Sequence, residues 1–172
     1  MNLLTHSIGI GHLIFAILIS IYALIFKKNW WDKIYIIYNY LVFISWTYFN
    51  GECYITYVIK KMEDPNYVAG TESTDLTDMN SQFDKKSFRT FLDIFVVLNI
   101  VSIFLVNQRN GYLPLSLNII LVITYFVYAI FLRKFMNKKL YYKYGLDKVF
   151  VWFQFAMRLF VAYLLILLLS TF

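Results

Sequence analysis

The sequence predicts an all-α fold: a polytopic transmembrane helical bundle with about five membrane-spanning helices. Three observations predict it. Hydrophobic residues make up 60% of the 172 and charged residues 15%, with a mean hydropathy of +0.61; soluble domains are about 45–50% apolar and about 25% charged. The apolar residues form long continuous runs rather than the alternation of a membrane β-barrel. The charges bunch between those runs, as they do in polytopic helical proteins. The whole chain, 1–172, reads as one transmembrane domain.

The first helix is expected at about 3–26. It lacks a basic leader, and no small-residue cleavage site precedes Lys27 and Lys28, so it reads as a retained span rather than a signal peptide. Thr5, Gly9, His12, Ala16, Ser20 and Ala23 form a small or polar stripe at helical spacing. Such stripes let helices approach closely in lipid. The short loop that follows, KKNWWDK, carries two tryptophans, which anchor span ends at the membrane interface.

The second helix is expected at about 34–59. It holds Ser45, Tyr48, Glu52 and Thr56 at spacings of 3, 4 and 4, which places them on one helical face. A carboxylate inside a span is expensive and marks a candidate functional site. At about 1.5 Å per residue such a helix is about 39 Å long, against a hydrocarbon core of about 30 Å. It must tilt or push its ends into the headgroups.

A hydrophilic loop is expected at 60–87, opened by Pro65, which forbids simple helix continuation. Asp75, Asp78, Asn80, Gln82 and Asp84 resemble a calcium loop superficially. The places for the required Gly and Glu hold Asn80 and Lys86, so a plain solvated loop is the reading. The third and fourth helices, about 88–106 and 113–132, are joined by a turn containing Asn110-Gly111. Pro114 sits in a first turn, where proline is tolerated. A basic loop at 133–148 carries six Lys or Arg and one Asp. The fifth helix, about 149–170, bears Gln154, Arg158 and Ala162 at spacing 4.

Five spans put eleven of the 16 Lys and Arg on the side of the N-terminus and four on the other, with Arg158 inside a span. The positive-inside rule then gives a cytosolic N-terminus and a C-terminus on the opposite side. The same rule accounts for the net charge of +6 without nucleic acid. The expected partners are the lipid bilayer and either a second copy or other membrane proteins.

Counting from the flanking polar residues at about 1.5 Å per residue puts Glu52 about 12 Å deep, Arg158 and His12 about 15 Å and Asp93 about 6 Å. An intramembrane polar cluster of Glu52, Arg158, His12 and Asp93 is therefore expected, with Glu52 the first-choice partner of Arg158. A neighbouring carboxylate lowers the cost of the buried guanidinium.

Two function classes stay open. One is a structural or partner-recruiting membrane component, which uses the cluster as helix–helix glue. The other is a small transporter, channel or proton-relay subunit. A membrane enzyme drawing on Cys53 and His12 is a third, weaker drawing. No Gly-rich phosphate loop, HExxH or paired CxxC is present, and the sequence assigns no catalytic residue, metal or cofactor.

The segment Ser45 to Gly70 carries Trp46, then Glu52-Cys53, then Tyr57 with Lys60-Lys61, then Asn66-Tyr67 with Gly70. In these elements it resembles small multi-pass membrane proteins encoded by large nucleocytoplasmic DNA viruses. The resemblance covers 26 residues. It implies a viral origin and a host or virion membrane, and no activity.

Overall fold

A computed structural model describes residues 3–70, 85–135 and 146–170. The acidic stretch from Asp75 to Asp84 and most of the basic loop lie outside the described residues. Among those described, the regular structure is all helical: α1 Leu3–Ser20, α2 Tyr22–Ile25, α3 Trp31–Tyr48, α4 Tyr54–Glu63, α5 Lys85–Asn110, α6 Leu115–Phe135 and α7 Leu146–Leu169. Helices α5, α6 and α7 occupy the runs expected at 88–106, 113–132 and 149–170. The runs at 3–26 and 34–59 are each broken, and each break has an identifiable cause.

Between α1 and α2 the cause is a side chain. The buried Ser102 hydroxyl on α5 donates to Ser20 O at 2.6 Å and accepts from Ala23 N at 3.3 Å. A hydroxyl inserted into the backbone ladder breaks or kinks a helix. Between α3 and α4 the cause is the backbone. Asn50 has φ +51° and Gly51 φ +92°, the left-handed region that Gly enters freely and Asn tolerates.

Helix α3 packs most extensively on α7. Helix α5 packs on α6, on α1 with α2, and on α3. The small-residue stripe of α1 turns inward: Gly9 and Ser20 are buried, while Ile10, Ile14, Phe15 and Leu18 are exposed. The shared core stacks Phe43 on Tyr125 at 4.5 Å and sets the Tyr128 ring edge-on to Phe43 at 5.7 Å. Amide side chains join the helices within it. Asn99 donates to Asn39 Oδ1 at 3.1 Å, Asn107 reaches Tyr40 Oη and Asn118 Oδ1 at 3.4 Å each, and Asn118 donates to Phe104 O at 3.1 Å. Asn39, Asn99, Asn107 and Asn118 are all buried, whereas Leu24, Ile94, Ile123, Val151 and Ile166 are more than half exposed. Buried amides thus sit within a largely apolar core while large aliphatic side chains stay on the surface.

Two helical stretches are long and apolar enough to cross a membrane, Thr90–Asn110 and Val149–Leu169. Only 33% and 28% of their apolar windows are buried inside the protein, so neither has the burial of a soluble core helix. The His6–Ser20 and Leu115–Ile130 helical stretches are apolar but shorter.

At the end of the bundle where α3 begins, Asp32 is fully buried and clamps the α2–α3 turn to α5. Arg109 grips it bidentately, Nε to Oδ2 at 2.9 Å and Nη2 to Oδ1 at 2.5 Å. Asn110 donates to Oδ2 at 2.7 Å and Tyr22 to Oδ1 at 3.0 Å. Arg109 Nη1 also donates to Phe26 O at 2.5 Å. Fork-to-fork pairing of this kind is strong and directional. Asp32→Asn should lower the midpoint of thermal unfolding in detergent, because it leaves Arg109 at the α2–α3 turn without its counter-charge.

Candidate functional site

The opposite end of the bundle holds the residues of interest, and the end of α3 organises them. The last carbonyls of a helix lack intrahelical donors. Here Ser45 O accepts from Phe49 N at 2.9 Å. Trp46 O accepts from Gly51 N at 2.6 Å and from Tyr128 Oη at 2.9 Å. Thr47 O accepts from Arg158 Nη2 at 2.6 Å, while Arg158 Nε donates to Thr47 Oγ1 at 3.1 Å. Helical side chains lean toward their own N-terminus, so Arg158 of α7 leans toward this end. A cation here also complements the helix dipole. Its guanidinium lies 4.4 Å from the ring centre of the exposed Tyr48, within cation–π range.

Glu52 follows in the turn after the break, fully buried. Its Oε1 accepts from Lys60 Nζ at 2.7 Å and from Tyr67 Oη at 2.6 Å, and its Oε2 accepts from Gly70 N at 3.2 Å. Lys60 is 4% exposed and lies 5.1 Å from the Tyr67 ring centre. Buried charges persist when paired and hydrogen-bonded, and this carboxylate is both. Gly70 closes the loop against Asn50, whose amide donates to Ala69 O at 3.3 Å. A Cβ on Gly70 would fall 2.4 Å from Asn50 Cβ, and its φ is +87°, so only glycine fits. Glu52 thus ties together both ends of the 52–70 segment.

Several expectations are corrected by this geometry. Glu52 and Arg158 do not pair: the carboxylate is taken by Lys60, Tyr67 and Gly70, and the guanidinium caps α3. Nor do Ser45, Tyr48, Glu52 and Thr56 share one helical face, because the left-handed pair Asn50-Gly51 intervenes. Ser45 and exposed Tyr48 stay on α3, with Ser45 Oγ bonded to Val42 O at 2.7 Å. Thr56 is buried on α4. Asp93 is half-buried on α5, and Gln154 is buried on α7 one turn from Arg158. His12 meets Cys53, with Nε2 3.5 Å from Sγ and both residues half-buried.

Lys60, Tyr67 and Gly70 were outside the expected cluster. They appeared only as the end of a helix and part of a motif. The one available signal was the Asn50-Gly51 pair, a turn dipeptide inside an apolar run. Asp32 likewise carries little signal in the sequence beyond being the single acid among the three lysines of KKNWWDK.

No protein-family model, curated protein sequence or solved structure matches this chain. Its chemistry is therefore read from its own geometry. Among the described residues no group of three or more His, Cys, Asp or Glu is placed to hold a metal ion.

Removing one partner of a buried pair strands the other. Lys60→Met should destabilise the protein by about 3–5 kcal/mol, read as a lowered thermal midpoint in detergent. Adding Glu52→Gln to Lys60→Met should recover a large part of the loss, because no unpaired charge then remains.

Proposed function

We propose that the chain is an integral multi-pass membrane protein with five spans, formed by α1 with α2, then α3, α5, α6 and α7. Its N-terminus is cytosolic and its C-terminus lies on the opposite side. It serves as a structural, partner-recruiting component of its membrane. The resemblance in Ser45–Gly70 adds a host or virion membrane as the location.

The apolar surface supports the membrane placement. Exposed aliphatic side chains cover α1, α5, α6 and α7, and the buried amides face one another. Without lipid, an apolar surface this extensive would drive association. The length of α3 agrees: 18 residues span about 27 Å, close to the hydrocarbon thickness. Exposed Trp30 and Trp31 mark one end of α3 and exposed Tyr48 the other, as in interfacial aromatic belts.

One observation carries the structural role. Glu52, Lys60 and Arg158 are each spent on fastening one chain segment to another. A proton relay needs a carboxylate that can change partners, and Glu52 is held by three donors from its own segment. The second reading, a small transporter, channel or proton relay, uses Glu52 with Arg158, His12 and Asp93; the observation that favours it is the approach of His12 Nε2 to Cys53 Sγ, next to Glu52, at 3.5 Å.

Reconstitution into liposomes with an entrapped pH-sensitive dye separates the two. Wild type and Glu52→Gln should both leak protons at the rate of protein-free vesicles. Flux in wild type that Glu52→Gln abolishes would establish the relay instead. For recruitment, residues 71–82 should be deleted, sparing Tyr67 and Gly70. Crosslinked partners should then be lost while the thermal midpoint is kept; partners unchanged by the deletion would remove the recruiting role.

A further inference from the structure

The membrane reading leaves α4 unaccounted for. A span of about 27 Å ends at Tyr48, so α4 is no part of that span. Helix α4 buries Thr56, Ile59 and Lys60 and leaves Tyr54 and Met62 56% and 57% exposed beside the exposed Lys61 and Glu63, so a lysine is turned inward while two large side chains with apolar surface face out. At about 100° per residue, exposed Tyr54, Lys61 and Met62 and half-buried Val58 lie on one side of the helix. Three of the four are apolar or amphipathic, and the fourth is a lysine of the kind that snorkels at a membrane surface.

The outward face also continues an aromatic string that begins at the end of the span. Phe49 packs on Tyr54 at 5.6 Å and on Tyr57 at 4.7 Å between ring centres, and the neighbouring Tyr48 is exposed. Aromatic residues of this kind collect at the headgroup level.

We infer that α4 is an in-plane interfacial helix, seated in the headgroup–acyl boundary of the cytosolic leaflet through Tyr54, Val58 and Met62. The Glu52–Lys60–Tyr67 clamp beneath it fixes which face meets the lipid. The inference rests on the membrane reading and specifies its lipid partner. In-plane helices bury their apolar face about 5–10 Å into this boundary. The lysine stem lies along the surface, and Lys61 Nζ donates to Tyr67 O at 3.0 Å.

The test uses the full chain in vesicles of phosphatidylcholine with phosphatidylserine. Single cysteines are placed at Tyr54, Met62, Glu63 and Ile123 in a Cys53→Ser background, repeated with Cys53→Ala, and labelled with a small fluorophore. A nitroxide lipid labelled high on its acyl chain should quench positions 54 and 62 strongly, and an aqueous nickel chelate should barely affect them. Position 63 should show the reverse. Position 123, on the exposed face of α6, reports the span itself through quenching by a nitroxide deep in the acyl chain. If 123 is quenched by the deep lipid probe while 54 and 62 respond like 63, α4 stands in water and the inference is overturned although the membrane reading stands. If 54 and 62 are shielded from both probes, a protein partner or second copy covers the face, which also overturns it. If 123 itself is open to the aqueous quencher, the membrane reading and the inference fail together.

Discussion

The arrangement depends on where α3 stops. An apolar run long enough for one helix from 34 to 59 is cut at Tyr48, and the cut exposes carbonyls that need donors. Each donor comes from a different part of the chain: Gly51 N from the turn itself, Tyr128 Oη from α6 and Arg158 from α7. Satisfying one helix terminus therefore fixes the positions of α6 and α7 against α3. It also gives Arg158 a partner that needs no carboxylate, which leaves Glu52 for the segment that follows.

At the other end the logic is the same with reversed charges. Asp32 lies in the first turn of α3, where a helix favours an anion, and Arg109 of α5 supplies the counter-charge. Between these two ends α5 is held by hydrogen bonds: Ser102 to the α1–α2 break, Asn99 to Asn39, Asn107 to Tyr40. Dispersion between aliphatic side chains has little sequence specificity in lipid, so such bonds define register. The bonding is distributed over several helices, in keeping with the structural role proposed above. A site that exchanged ions would concentrate its loosest polar groups in one place.

Much of the all-helical character was legible in the sequence because it depends on composition and run length alone. The turn at Asn110-Gly111 and the inward stripe of α1 were legible for the same reason, as local signals. What escaped was the meaning of polar residues inside runs. Depth counting assumed that 34–59 was a continuous helix, and Asn50-Gly51 invalidates that for every residue after it. Glu52 then leaves the interior of the span and enters a turn, eight residues before a lysine that returns to meet it. The mistaken Arg158–Glu52 pairing came from charge complementarity alone. Helix-end carbonyls carry no side-chain letter, so a cation that caps them looks like a cation without a partner. The break at Ile21 was equally invisible, since the residue that makes it, Ser102, is remote in sequence.

The central claim is that Arg158 caps α3 and that Glu52 belongs to Lys60. Solid-state NMR in bilayers measures this directly, by dipolar recoupling between arginine side-chain nitrogen-15 and selected carbon-13 sites. With threonine carbonyls labelled, Arg158 should dephase the Thr47 carbonyl strongly. With glutamate side-chain carboxyls labelled, arginine nitrogen should leave Glu52 untouched and lysine nitrogen should dephase it. Arginine dephasing of the Glu52 carboxyl, with none at Thr47, would contradict the account.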